Sequence, residues 1–153
     1  VILSILLAAV LGTSVPTVTL RDLERRFERG GDTTYVVNFW ATWCKPCVAE
    51  LPYFDKLART SNARPVVVLL VSLDRAADKA TKVEPFLRAR GYRCEAVLLD
   101  EPKPHLWIDR VDPSWSGAIP ATLFVQGARR AFHEQEFTQA TLDSTFTRFT
   151  ASP

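Results

Sequence analysis

Two cysteines three residues apart, Cys44 and Cys47, lie in the stretch NFWATWCKPCVAELP that spans residues 38–52. Such a pair can be a structural clip, part of a metal site, or a dithiol that exchanges electrons. It sits between an apolar run and a segment of helical periodicity, which puts Cys44 at a helix amino terminus. There the unpaired N–H groups and the positive end of the helix dipole stabilise a thiolate. Cys44 should therefore titrate below the ordinary thiol value of about 8.5. Lys45 adds a cation that pushes the same way, and Pro46 fixes φ in the first turn, where its missing N–H costs little. Cys47, one turn deeper, is placed to attack a mixed disulfide formed by Cys44. We assign Cys44 as the attacking thiol and Cys47 as the resolving one, with Lys45 and Pro46 tuning the pair.

The other readings of the pair are weaker. A zinc site normally needs four ligands, often from two such pairs, and only Cys94, His105 and His133 remain, widely scattered. No metal is assigned. A fixed disulfide across four residues closes too small a loop to stabilise much. Glu50 lies one turn beyond Cys47, and from spacing alone it reads as a solvent-facing helix glutamate. Cys94 falls on an expected core strand and reads as an inert buried thiol; His105 and His133 read as surface residues.

These residues need a scaffold, and the chain is long enough to provide one. At 153 residues it suits a single domain with its own core. Its net charge of +2 and the absence of a basic block argue against a nucleic-acid partner. RDLERRFERG, the densest charged segment, alternates signs and reads as a solvated helix face.

Leu20, Leu23 and Phe27 predict a short helix ending at Gly30-Gly31. YVVNFW (35–40) and PVVVLLVSLD (65–74) read as strands covered on both faces. Between them a helix over about 44–60 should bury Val48, Leu51, Phe54 and Leu57 or Ala58, with a kink at Pro52. A second helical region over about 76–90 has Ala76, Ala80, Val83 and Leu87 on one face, is either kinked at Pro85 or begins its second half there, and is stopped by Gly91. CEAVLLD (94–100) is a third core strand, followed by a helical turn near Trp107 and Val111. ATLFVQ, Gly127 and RRAFHE form a hairpin. A last helix starts near Thr138 and buries Leu142, Phe146 and Phe149. The order β-α-β-α-β, hairpin, helix predicts an α/β fold: a central mixed β-sheet flanked by helices on both faces.

Residues 1–12, VILSILLAAVLG, are nearly all apolar but too short to span a bilayer. They read as the remnant of a signal peptide or membrane anchor, leaving 13–153 as one domain in an extracytoplasmic (periplasmic) setting.

The segment NFWATWCKPCVAELP resembles the active-site segment of the thioredoxin superfamily, closely that of its TlpA/ResA-like extracytoplasmic branch. A second motif, GAIPATLFV, resembles the loop that holds a cis-proline opposite the dithiol. The resemblance implies a thioredoxin-like fold and a cis peptide at Ile119-Pro120, whose backbone would pair with an extended substrate peptide. It implies that Glu50 lies near the dithiol and assists proton transfer, against the spacing-based reading. Trp43 is expected to shield the disulfide and contact substrate while Trp40 packs inside; Trp115 reads as groove lining or as a core aromatic. The implied activity is thiol–disulfide exchange, reducing protein disulfides with no cofactor beyond the Cys44–Cys47 disulfide. The implied partners are protein thiols and disulfides and a membrane electron donor, with the protein a monomer anchored through its N-terminus. The alternatives are a disulfide oxidase or isomerase and, from another class, a module delivering copper or another cofactor, since soft thiolates suit Cu(I).

Overall fold

The computed structural model describes residues 14–61 and 65–151. The expected leader, residues 1–12, lies outside the described residues. The chain runs β1 (Thr17–Val18), α1 (Leu20–Arg29), β2 (Thr34–Trp40), α2 (Lys45–Thr60), β3 (Val66–Ser72), α3 (Glu84–Arg90), β4 (Glu95–Leu99), α4 (Ile108–Val111), β5 (Ala121–Gln126), β6 (Arg129–His133) and α5 (Gln139–Ala151). The strands form one six-stranded sheet in the order β1-β4-β3-β2-β5-β6. β1, β4, β3 and β2 are parallel to their neighbours, and the β5–β6 hairpin adds antiparallel against β2. This is the mixed sheet expected from the sequence, with β1 as an added short edge strand.

All seven residues of β2 are buried, because helices cover both faces of the sheet. Strand alternation sends Tyr35, Val37 and Phe39 towards one face, where they pack with Leu20, Leu23 and Phe27 of α1. Val36 and Trp40 pack on the other with Leu51, Phe54 and Leu57 of α2 and Leu142 of α5. Asn38 shares the α2 face by the same alternation. Each such fully buried Leu, Val or Phe contributes about 1.5–3 kcal/mol, so the strand leading to Cys44 is among the most firmly held in the molecule. α1 opens with a capping box in which Thr19 and Asp22 satisfy each other's backbone N–H groups. At its far end Gly30 is required by packing: an added Cβ would stand 2.4 Å from the Tyr35 ring.

Two expectations need correction, and the two readings of Trp115 are resolved. Residues 76–90 do not form one amphipathic helix: a 3-10 turn (Ala76–Asp78) and a π turn (Lys79–Val83) precede α3. Pro85 lacks the N–H that an α-helix would give to residue 81, and the widened turn accommodates it. Ala76 and Ala80 are exposed, and Phe86 packs instead, its ring 5.3 Å from that of Trp40. Gly91 does stop the helix, in the left-handed conformation at φ 62°. In α5 the fully buried residues are Leu142 and Thr145, while Phe146 and Phe149 sit at the rim. Trp115 is a core aromatic and does not line a groove: it packs against Phe39, Trp107 and Phe132.

Candidate active site

β2 delivers the chain to a tight turn, Ala41–Cys44, closed by the Cys44 N–H donating to Ala41 O at 3.1 Å. Cys44 then caps α2, with extended backbone and the Cys47 N–H directed at its Sγ, 3.3 Å away. The sulfur thus occupies the place where an N-cap side chain satisfies a free helix N–H. Lys45 opens the helix and Pro46 follows in its first turn, where it displaces no intrahelical bond. Both are exposed. Cys44 and Cys47 form a disulfide with Cα atoms 5.3 Å apart. Cys47 is completely buried, whereas Cys44 retains 6% of its surface. The helix runs on through Pro52, which faces solvent.

The loop before β5 faces this disulfide. The Ile119–Pro120 peptide is cis, and the Ile119 carbonyl oxygen lies 3.8 Å from Cys44 Sγ. Trp115 Nε1–H donates to Ala118 O at 2.8 Å, so the core aromatic fixes the loop from below. Glu134, just past β6, holds it from the side by accepting from the Ser116 N–H at 2.8 Å and from the Ser116 hydroxyl. Trp43 keeps 68% of its surface exposed at the mouth of the site, while Trp40 is fully buried as expected.

Glu50 is not the solvent-facing residue that spacing alone suggests; it is fully buried. Its carboxylate accepts from Asn38 Nδ2 and from the Phe137 N–H, each at 2.7 Å. Asn38 Nδ2 also donates to Thr122 Oγ1 at 3.2 Å, tying β2, α2, β5 and the approach to α5 together. Burial pushes the Glu50 carboxyl up to about 7; the Phe137 and Asn38 donors oppose this, and nearby Glu136 adds to it. Cys47 and Glu50, three residues apart on α2, share the buried face of the helix. A carboxyl whose pKa burial raises to about 7 therefore lies on the same buried face as Cys47.

Sequence reasoning missed Asn38 and Phe137. A buried asparagine in the otherwise apolar run YVVNFW was the available signal, since a covered polar side chain needs a partner. The backbone N–H of Phe137 left no such mark.

The remaining candidates lie apart. Cys94 is a free thiol just ahead of β4, half-buried, 4.0 Å from Asp55 Oδ1. Burial, then the Asp55 charge, pushes its thiol up to about 12. His105 is exposed. His133 is not a free surface residue: it meets the rings of Phe124 and Phe137 edge-on, and burial lowers its pKa, with Arg148 adding to this. Among the described residues no group of three or more His, Cys, Asp or Glu side chains could hold a metal.

The AhpC/TSA family pattern matches residues 9–128. The chain is 38% identical over 94 residues to the thiol-disulfide oxidoreductase ResA of Geobacillus thermodenitrificans, covering 60% of this chain and 52% of that protein. It is 33% identical over 99 residues to the thiol:disulfide interchange protein DsbE of Pasteurella multocida, covering 61% and 51%. It thus spans about half the length of the curated relatives it matches. Among solved structures, a thioredoxin-related protein from Neisseria meningitidis serogroup B superposes with a TM-score of 0.66 at 20% identity, covering 78% of this chain and 86% of the other. StoA from Bacillus subtilis gives 0.58 at 20% identity, covering 80% and 85%. Those likenesses establish the thioredoxin-like fold. With its likeness to the ResA and DsbE proteins, the chain belongs to the AhpC/TSA family of the thioredoxin superfamily.

Proposed function

We propose that this protein catalyses thiol–disulfide exchange outside the cytoplasm and reduces protein disulfides. The observation that carries the reading is the asymmetry of the pair: Cys44 is reachable at the start of α2 and faces the Ile119 carbonyl, while Cys47 is sealed beneath it. In the reduced protein the Cys44 thiolate attacks one sulfur of a substrate disulfide. That S–S bond breaks, a substrate thiolate leaves, and a Cys44–substrate disulfide forms. Cys47 then gives its proton to Glu50 and attacks Cys44 Sγ, expelling the second substrate thiolate. Two electrons pass to the substrate, whose thiolates take up the two protons lost by the dithiol. A Glu50 carboxyl titrating at about 7 accepts and returns a proton readily at neutral pH. Ile119 and Pro120 offer an edge for an extended peptide, and Trp43 an apolar surface beside it.

The reducing direction is supported by the Lys45-Pro46 pair, which adds no histidine beside the attacking thiol, and by likeness to ResA. A reductant needs its dithiol restored, so an electron donor at the membrane is part of the proposal, as is a monomer tethered by its amino end. The test is the reduction potential of Cys44–Cys47, equilibrated against a defined thiol buffer and read by counting alkylated thiols by mass. A value near or below about −270 mV, that of thioredoxin, is expected. A value towards about −120 mV would make the protein an oxidant and overturn the direction.

A further inference from the structure

Asp74, two residues past the end of β3, is a buried carboxylate that the exchange chemistry above does not use; only 4% of it is exposed. Its Oδ2 accepts the Thr42 N–H at 3.0 Å and the Ser72 hydroxyl at 2.8 Å, and its Oδ1 accepts the Thr42 hydroxyl at 2.5 Å. Ser72 Oγ itself accepts the Asp74 N–H at 3.1 Å, which commits the Ser72 proton to the carboxylate. No ion pair among the described residues includes Asp74. Thr42 is the second residue of the Ala41–Cys44 turn. Asp74 therefore grips that turn by both the backbone and the side chain of the residue two before Cys44. The Leu73 N–H, donating to Trp40 O at 2.8 Å, pins the same stretch to the end of β2.

A buried carboxylate without a cation is costly unless its donors are well placed, and here all three belong to the turn and the strand behind the attacking sulfur. We propose that Asp74 is a positioning residue that sets the redox poise of the Cys44–Cys47 pair, by fixing the Ala41–Cys44 turn and holding a carboxylate against Thr42, two residues before Cys44. A carboxylate held against the turn that leads to Cys44 disfavours a thiolate there. It opposes the helix amino end and Lys45, which favour the thiolate; Glu50 and its neighbour Glu136 are carboxyls on the Cys47 side. Oxidation removes two electrons and two protons from the dithiol and forms the S–S bond, which relieves that repulsion. The disulfide is thereby favoured, and the dithiol becomes the stronger reductant. The inference rests on the exchange reading for its purpose, but its measurement does not.

The experiment compares wild type with Asp74→Asn, which keeps the shape and an acceptor for Thr42 while removing the charge. Both are equilibrated with a thiol buffer, and Cys44 is titrated by alkylation rate against pH. The variant should be the weaker reductant by about tenfold in the exchange equilibrium, a potential about 30 mV less negative. Its Cys44 should carry about tenfold more thiolate at a given pH below its pKa. Asp74→Glu, which restores the charge, should recover most of both changes, and a purely structural role would not produce that rescue. If Asp74→Asn does not fold, Asp74→Ser, whose hydroxyl can still accept from Thr42, carries the same expectation. A neutral variant with wild-type potential and wild-type thiol titration overturns the proposal. Neither readout uses a protein substrate, so failure to reduce protein disulfides would sink the exchange function and leave this inference standing.

Discussion

At the amino end of α2, the thiol of Cys47 and the carboxyl of Glu50 lie one turn apart and fully buried. In its carboxyl half, Asp55 is buried too and lies against a second thiol, Cys94. The two pairs share a chemistry and differ in what faces them. Asp55 is met by the Arg59 guanidinium at 2.5 Å and by the Arg93 N–H at 2.5 Å, so its charge is matched and fixed. Glu50 is met by neutral donors, which oppose the rise without a matching charge, and has Glu136 nearby, so burial outweighs the donors and raises it to about 7. The thiols differ in the same way. Cys44 stands at a helix start with the Cys47 N–H directed at its sulfur, whereas Cys94 is pushed up to about 12 by burial first and then by its carboxylate neighbour. A thiol and an acid side by side make a reactive site only where the acid lacks a cation and the thiol has donors.

The largest effects should separate the two thiol sites outright. On the proposed exchange, Cys44→Ser removes the attacking thiol and should lower reductase turnover by roughly a thousandfold or more. Cys94→Ser should leave turnover at the wild-type level. Cys47→Ser should accumulate Cys44–substrate mixed disulfides, visible as protein adducts on non-reducing gels. Reductase activity surviving in Cys44→Ser would erase the contrast between the two ends of the helix.

A smaller effect isolates the two acids. Glu50→Gln should slow the exchange by roughly a hundredfold, the low end for a lost proton acceptor, and should remove an ionisation near pH 7 from the rate profile. The same residue marks stability. The folded value of about 7 lies above the ordinary 4.5, so between these pH values the folded state holds the proton that the unfolded state has lost. Stability is then fully present below about pH 4.5 and falls as pH rises through 7, by up to about 3 kcal/mol. Glu50→Gln should flatten that slope in urea denaturation measured at pH 5 and pH 8. An unchanged slope would show that Glu50 is not held at the raised value.

The same contrast explains what the sequence made legible. The dithiol, its helix amino terminus and the alternation of strand and helix are local patterns, and Cys44, Cys47, β2, α2 and the β5–β6 hairpin all follow from spacing. The cis Ile119–Pro120 peptide came through resemblance, since an X-Pro pair alone does not declare its isomer. The environment of Glu50 was not legible from i,i+3 spacing, because its partners sit 12 and 87 residues away. Asp74 was silent for the same reason: it lies 32 residues from the turn it grips. The run around Ala76 and Ala80 misled because alanines fit a helix pattern whether or not the face is covered. Burial and pairing set the chemistry here, and both are long-range.

The smallest effect is the sharpest test of the comparison, because it should change one end of α2 and leave the other alone. Asp55→Asn keeps an acceptor for the Arg93 N–H but removes the charge facing Arg59 and Cys94. The ion pair is partly exposed on the arginine side, so its loss should cost only about 1 kcal/mol in denaturant unfolding. The Cys94 thiol should fall from about 12, though not to its ordinary value, because burial, the larger cause, remains. Its alkylation at pH 9 should therefore speed up several-fold, since the thiolate is the reacting form. Reductase turnover and its pH profile should stay at the wild-type level, because Asp55 reaches neither Cys44 nor Glu50. Loss of turnover in Asp55→Asn comparable to that in Glu50→Gln would mean that the two carboxyls act as one system along the helix. Faster alkylation of Cys94 with unchanged turnover would show that the neighbouring charge adds to burial in keeping this thiol unreactive.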